Sequence, residues 1–161
     1  MEFPDFISAT ILTIIGIMIA EFFIQYVKEK SSRNKIITSL FIEVSDNLDI
    51  VEGNIEIIDL NLRRGFEASP TPFKTVAYER YKRDIDPKLL QIIDINGEKH
   101  LSKAYYLMED LNRWMTIKGY NPAGDFDLTF NRVKEELKEF MKVLKSKKYF
   151  KNLFKKYSIN F

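Results

Sequence analysis

Side chains suited to catalysis or metal binding are scarce in this chain. Its 161 residues include no cysteine and a single histidine, His100. Without cysteine there can be no disulfide, zinc–thiolate site or thiol chemistry. One histidine cannot supply the paired Glu-x-x-His ligands of di-iron helical bundles. The sequence also contains neither a Gly-rich phosphate loop nor a Gly-x-Ser-x-Gly turn. We therefore predict no catalytic residue, no metal site and no cofactor.

Carboxylates are concentrated in one stretch that contains no basic residue. It holds Glu43, Asp46, Asp49, Glu52, Glu56 and Asp59. A metal-binding or acid–base site would need two of them to converge in a dry pocket, but in the helical pattern they lie off the apolar positions, which predicts a solvated acidic face. Residues 94–97 have the composition of a calcium loop. Aligning Gly97 with the invariant glycine of such a loop puts Ile92 and Lys103 at ligand positions, which excludes calcium.

The C-terminal stretch is strongly basic. No acidic side chain follows Glu139, whereas seven lysines do: Lys142, Lys145, Lys147, Lys148, Lys151, Lys155 and Lys156. Interleaved with them, on one face of a helix, are Tyr149, Phe150, Leu153, Phe154 and Tyr157. Such a helix can bind anionic lipid headgroups with its aromatic residues inserted at the interface, or it can pack on an acidic partner surface, including the acidic face of its own chain. Both alternatives stay open, and a nucleic-acid partner is disfavoured because arginines do not cluster here.

An apolar segment near the N-terminus is long enough to cross a bilayer. Residues 6–27 cover about 33 Å as a helix, against a hydrocarbon core of about 30 Å. Glu21 lies near the end of the segment and is expected at the membrane interface. Glu2 and Asp5 precede the segment, and four cations follow it: Lys28, Lys30, Arg33 and Lys35. The positive-inside rule predicts an N-terminus outside the cell membrane, and the acidic start argues against a cleaved signal peptide.

Residues 36–62 carry a heptad repeat. Apolar residues alternate at spacings of four and three: Ile37, Phe41, Val44, Leu48, Val51, Ile55, Ile58 and Leu62. This seam is typical of a coiled coil or of a long bundle helix, and Gly65 suits the C-terminal end of the helix. The seam is either a homodimer interface or core covered by the later helices, and we favour the latter because those helices need an apolar surface to pack on. Asn47, beside the seam, either bonds the backbone of a partner there or faces solvent.

Helical spacing continues beyond a proline-rich break at residues 68–72. It predicts helical segments over 72–83, 87–93, 98–118 and 127–144. Val76 and Trp114 are expected to face the core, His100 to face solvent, and Asp127 to cap the last of these helices. No segment alternates as a strand does, so we predict an all-α fold, with a transmembrane helix followed by a cytoplasmic helical bundle of about five helical segments.

Two motifs resemble a pattern found in prokaryotic proteins. Residues 40–48 read LFIEVSDNL, and residues 72–79 read PFKTVAYE. Together they resemble the Leu-x-x-Glu-(x)₃-Asn-Leu and Pro-Phe-x-Thr-x-Ala-Tyr segments of single-pass, membrane-anchored helical proteins, and the similarity covers residues 5–80. The resemblance implies the same architecture and brings no activity with it, because that family has none assigned.

The predicted organisation has five parts. They are an extracytoplasmic tail (1–5), a transmembrane helix (6–27), a basic juxtamembrane segment (28–35), a helical cytoplasmic domain (36–148) and a basic aromatic tail (149–161). We predict a single-pass protein whose cytoplasmic domain acts by binding, as a scaffold or accessory subunit, with a protein partner or a second copy. The alternative is a membrane-tethered enzyme or effector whose site is assembled from polar residues distant in sequence.

Overall fold

The computed structural model describes residues 3–65, 68–116 and 125–156. Within these ranges the chain forms α-helices and no strand: α1 (Phe3–Arg64), α2 (Val76–Arg83), α3 (Pro87–Ile93), α4 (Ile95–Met115), α5 (Asp125–Ser146) and α6 (Lys148–Lys156). The predicted all-α fold, a long apolar N-terminal helix followed by a helical bundle, is confirmed. The chain divides into two compact units, Met1–Lys35 and Ile36–Phe161, and α1 contributes to both.

Over residues 10–27 the first unit is a helix that exposes apolar side chains around its whole circumference. Its exposed large apolar residues are Ile11, Leu12, Ile14, Ile15, Ile17, Met18, Ile19, Phe22, Phe23, Ile24, Tyr26 and Val27. By length and composition α1 can cross a membrane, and no other helix among the described residues passes that test. A helix that is apolar all round is stable when its whole circumference is covered, as in a membrane or a protein core.

In the second unit α1 buries one side of its surface. Between Ile36 and Ile58 the apolar side chains on that side belong to one core with the later helices. Six of the eight seam residues are buried, Ile55 is half-buried, and Leu62 is 62% exposed. The seam is therefore covered by the chain's own later helices, and its buried positions are not available to a second copy.

The end of α1 lies where the sequence predicts it. The helix ends at Arg64, and Gly65 follows with a φ of +64° and donates its amide to the carbonyl of Asn61 at 3.1 Å. This left-handed conformation costs glycine nothing because it has no Cβ.

The start of α2 differs from the prediction. The helix begins at Val76, four residues later than Pro72, because asparagine side chains bind the main chain of Thr71, Phe73 and Lys74 and keep these residues outside the helix. Val76, expected in the core, is 81% exposed.

The starts of α4 and α5 also differ. α4 begins at Ile95 and not at Glu98, because the Asp94 carboxylate accepts the amides of Asn96 at 2.9 Å and Gly97 at 3.0 Å and so caps the helix. Residues 95–97 thus belong to the first turn of α4. α5 begins at Asp125, which places Asp127 inside the helix and not at its cap.

Trp114 lies at the surface, where the sequence predicted a core position. It is 47% exposed. The inner face of α4 passes from Leu111, which is buried, to Met115, which packs against the core from the next turn. Because these two residues are four apart, Trp114 falls beside the inner face.

α4 runs in the same direction as α1 in the second unit. Tyr105 donates a hydrogen bond to Glu43. Two turns later in α4, Asn112 binds Phe73, which lies at the level of α1 residues 47–54. Contacts thus advance together along both helices, and the two helices are parallel.

Two alanine variants of α1 distinguish the observed core from the heptad pattern alone. Ile58→Ala removes a buried side chain and should lower the free energy of unfolding by about 2–4 kcal/mol. Leu62→Ala, at the next seam position but exposed, should cost less than about 0.5 kcal/mol. The measurement is urea unfolding of the full-length protein in lipid nanodiscs, followed by the fluorescence of the single tryptophan. Equal losses would mean that Leu62 is covered by a second copy.

Candidate functional site

Three asparagines on α1, the asparagine ladder, hold an irregular segment of the chain. Each asparagine makes two hydrogen bonds to a single residue within 68–74. Its side-chain NH₂ donates to that residue's carbonyl, and its side-chain oxygen accepts from that residue's N–H. The pairs are Asn47 with Lys74, Asn54 with Thr71, and Asn61 with Ala68, at donor–acceptor distances from 2.7 to 3.2 Å. The segment therefore runs along α1 in the opposite direction.

The spacings on the two sides of the ladder match. Seven residues of α-helix rise about 10.5 Å, and three residues of extended chain cover about 9–10 Å. An asparagine every seventh residue therefore meets every third residue of the segment. Pro70 and Pro72 have no N–H, and both fall between the bound residues. Each asparagine thus finds a donor and an acceptor.

A fourth asparagine binds the same segment from α4. Asn112 accepts the N–H of Phe73 at 2.7 Å and donates to its carbonyl at 2.9 Å. The Phe73 ring is buried, with its centroid 5.8 Å from that of Phe130. The segment is thus held from α1 and from α4. Of the two alternatives for Asn47, the backbone contact is the one observed, and it is made within the chain.

Glu43 is buried, which corrects the prediction that all the acids of the seam helix face solvent. It is 6% exposed, and its carboxylate accepts from the amides of Ala77 at 2.6 Å and Tyr78 at 3.0 Å and from the hydroxyl of Tyr105 at 2.7 Å. Those amides belong to the first turn of α2, where Thr75 makes no side-chain cap. Glu43 therefore caps α2 from α1, and its charge stabilises the positive end of the α2 dipole.

Tyrosine hydroxyls complete this polar layer. Tyr105 stacks on Tyr78 with ring centroids 4.0 Å apart. Burial first, and then the charge of Glu43, raises the pKa of Tyr105 well above its ordinary value. Tyr81 donates to Glu98, and burial followed by that hydrogen bond raises the pKa of Tyr81 as well. Both phenols therefore stay protonated and act as hydrogen-bond donors to carboxylates.

His100 connects α4 to α5, where the sequence predicted a solvent-facing side chain. Its Nδ1 lies 2.7 Å from the carboxylate of Glu136, which also binds Lys103. Partial burial by itself raises the pKa of Glu136, but the hydrogen bonds from Lys103 and His100 outweigh it and the pKa is lowered. The described residues contain no group of three or more His, Asp or Glu side chains that could hold a metal.

Lysines do pair with the acidic side of α1, but in the described residues these lysines come from α5 and from the segment before α2. Lys134 lies 2.9 Å and Lys138 3.4 Å from the Glu52 carboxylate. The Lys134 hydrogen bond lowers the pKa of Glu52 and outweighs the opposing effect of burial. Lys74, beside the ladder, pairs with Asp46 at 2.7 Å.

The two phenylalanines of α6 pack in the core. Phe150 and Phe154 are buried, with ring centroids 6.1 and 5.0 Å from that of Phe41. These two side chains are therefore not available for insertion at a membrane interface, because Phe41 offers them an apolar surface within the chain. Tyr157 and the side chains of Tyr149 and Leu153 lie outside the described residues.

The predicted lysines occupy different environments. Lys142, Lys145, Lys151 and Lys155 are exposed. Lys147 lies 2.7 Å from the Asp94 carboxylate, and this hydrogen bond, with the amide of Gly97, lowers the pKa of Asp94. The side chains of Lys148 and Lys156 lie outside the described residues. In the first unit Lys28, Lys30 and Lys35 are exposed, and Arg33 pairs with Glu29 at 2.8 Å.

The polar groups that the structure brings together hold the chain's own backbone and side chains. The asparagines and Glu43 bind main-chain groups, and Glu136 and Glu52 join helices. The outer surfaces of the two units are left for contacts with other molecules. Comparison of the chain with protein-family models, curated proteins and solved structures found no match.

Asn54→Ala should destabilise the second unit by about 2–3 kcal/mol. The variant removes the two part-buried hydrogen bonds of a fully buried side chain and leaves the N–H and carbonyl of Thr71 without their asparagine partner. Asn61→Ala is the matched control: its bonds to Ala68 are exposed, water can replace them, and the loss should stay below about 1 kcal/mol. Urea unfolding measures both, and equal losses would contradict a structural role for the buried rung.

The Glu136 contacts predict an acid-dependent loss of stability. A carboxyl whose pKa is lowered by folding stabilises the protein fully above its usual value of 4.5, and the stabilisation disappears as the pH falls through the lower folded value. Glu136→Gln should therefore cost about 1–2 kcal/mol at pH 7 and less at pH 3, which is below the usual pKa of 4.5. Glu135→Gln, at an exposed neighbouring position, should change little at either pH. Unfolding curves across this pH range test the sign, and a loss that grows towards low pH would refute it.

Proposed function

We propose that this protein is anchored in the cell membrane by residues 6–27 and carries its second unit as a cytoplasmic binding module. The observation that carries the proposal is the apolar surface of α1, exposed on every side over residues 10–27. A bilayer covers such a surface completely, since hydrocarbon surrounds a spanning helix.

The charges that flank the segment support the cytoplasmic orientation. Lys28, Lys30, Arg33 and Lys35 follow it, whereas Glu2 and Asp5 precede it. Cations close to the end of a span are retained on the cytoplasmic side during insertion.

Binding is favoured over catalysis because the polar clusters of the second unit are engaged within the chain. Glu43 has three donors from α2 and α4, and Glu136 has His100 and Lys103. A protein partner or a second copy would meet the outer surface of the bundle, since the seam positions are largely covered.

The similarity to prokaryotic membrane-anchored helical proteins stays a prediction. The two motifs that carry it meet in the structure, since Glu43 binds Ala77 and Tyr78, and Asn47 binds Lys74. We expect proteins that share both motifs to share this contact. On this proposal the motif residues stabilise the fold, and any activity depends on other residues.

Single-cysteine labelling tests the anchor and its orientation, because the native chain has no cysteine. Glu2→Cys should react with a membrane-impermeant maleimide on intact bacterial cells, and Arg132→Cys, on the exposed side of α5, only after permeabilisation. Reversed labelling would overturn the orientation. Both variants should stay in the membrane fraction after alkaline carbonate extraction, and release into the supernatant would overturn the anchor.

A further inference from the structure

Ile95 is an apolar side chain that the second unit leaves uncovered. It is 84% exposed and is the first residue of α4. α3 ends at Ile93, so Asp94 alone connects the two helices. Water is a poor environment for a fully exposed isoleucine at such a corner.

The corner is held in place by several contacts. Asp94 has a φ of +64°, which is uncommon for a residue with a side chain. Its carboxylate accepts the amides of Asn96 and Gly97 and pairs with Lys147 from the end of α5. These contacts hold the backbone that presents Ile95 outward.

The corner lies at one defined end of the second unit. Tyr105 of α4 lies level with Glu43 of α1, and the two helices are parallel. Ile95 is ten residues before Tyr105, about 15 Å along the helix, and Ile36 is seven residues before Glu43, about 10.5 Å. Ile95 therefore reaches at least as far towards this end as Ile36, the residue at which the chain enters the second unit.

α5 brings basic residues to the same end. Its Phe130 lies against Phe73, whereas Lys147, just after the helix, pairs with Asp94, so α5 runs opposite to α4. α6 begins directly after Lys147, and Lys151 in its first turn is exposed.

The charge around Ile95 is suited to an anionic surface. Lys99 lies one turn after Ile95 on the same face of α4 and is exposed. Of the nearby acids, Asp94 is paired with Lys147, and Glu98 accepts from Tyr81. An apolar tip flanked by lysines is the composition of segments that bind membrane surfaces.

We propose that this end of the second unit docks on anionic lipid headgroups, with Ile95 entering the interface and Lys99 and Lys151 contacting the headgroups. The inference rests on the proposed membrane anchor. Eight residues of sequence separate Val27, the last apolar residue of the span, from Ile36. This short tether keeps the docking surface near the bilayer and favours lipid over a soluble acidic partner.

Fluorescent probes on single cysteines test the docking surface. Full-length Ile95→Cys, labelled with an environment-sensitive dye, is placed in nanodiscs of phosphatidylcholine alone or with phosphatidylglycerol, with acyl chains brominated near the headgroup as quencher. Val76→Cys is the matched control, since Val76 is 81% exposed and is also the first residue of its helix. It lies at the level of Glu43, because the next residue binds Glu43, and so not at the docking end. We expect quenching at position 95 in the anionic discs, less in neutral discs, and none at position 76.

Variants that remove one positive charge test whether Lys99 and Lys151 contact the headgroups. In anionic discs Lys99→Gln and Lys151→Gln should each lower the ratio of docked to undocked protein about fivefold, and 0.5 M salt should lower it further. Arg132→Gln removes an exposed cation on α5 two residues from Phe130 and should leave the ratio unchanged. Equal effects of all three variants would overturn the assignment of these lysines.

A probe within the span separates failure of docking from failure of the anchor. Ile17→Cys is placed in discs whose acyl chains are brominated near their terminal methyl groups. It should be quenched in both lipids at any salt concentration, because residue 17 lies at the middle of the proposed span. If position 17 is quenched while position 95 behaves like position 76, the docking proposal is wrong and the anchor stands. If position 17 is not quenched, the anchor proposal fails and the docking proposal fails with it.

Discussion

The second unit depends on satisfying the main-chain polar groups of a segment that has no regular secondary structure. Residues 68–74 lie against α1 and α4 outside any helix. Each buried N–H or carbonyl left without a partner would cost about 1–3 kcal/mol. Asparagine meets this need because its amide carries one donor and one acceptor edge, the complement of a peptide unit. The register of the segment against α1 follows, and with it the start of α2.

Helix α1 packs in the core, holds the segment 68–74 and caps α2, because different sides of this helix carry different residue types. The apolar seam of α1 packs under the later helices, and the asparagine ladder runs beside it at the same seven-residue period. Glu43 lies one turn before Asn47 and extends the polar stripe to the first turn of α2. Since all these contacts use α1, inserting or deleting one residue in this helix would disturb the core, the asparagine ladder and the Glu43 cap together.

The same internal use of polar groups shapes the functional conclusion. Side chains that resemble a catalytic cluster, such as Glu43 with its tyrosines, have their bonding capacity taken up by the fold. α6 shows a related effect, since Phe150 and Phe154 turn inward while Lys151 and Lys155 stay at the surface. An amphipathic pattern thus tells which face is apolar, and only the packing tells whether that face meets lipid or core.

Local pattern was enough to predict the all-α fold, the apolar N-terminal helix, the heptad helix and its end at Gly65. These features depend on residues within a turn or two of one another, so periodicity, charge and one glycine reveal them. The ladder left a weak signal, an asparagine followed by leucine or isoleucine at 47, 54 and 61. That signal does not identify what the asparagines bind.

Tertiary structure alone decided the burial of Glu43, the pairing of His100 with Glu136, the exposure of Ile95 and the inward face of α6. Glu43 lies 34 residues from Ala77 and 62 residues from Tyr105 along the chain. His100 lies 36 residues from Glu136. Such pairs form because helices pack at particular distances and directions. Sequence alone determined which elements form, and packing determined which side chains meet, because a local repeat contains no information about the surface on which it will be placed.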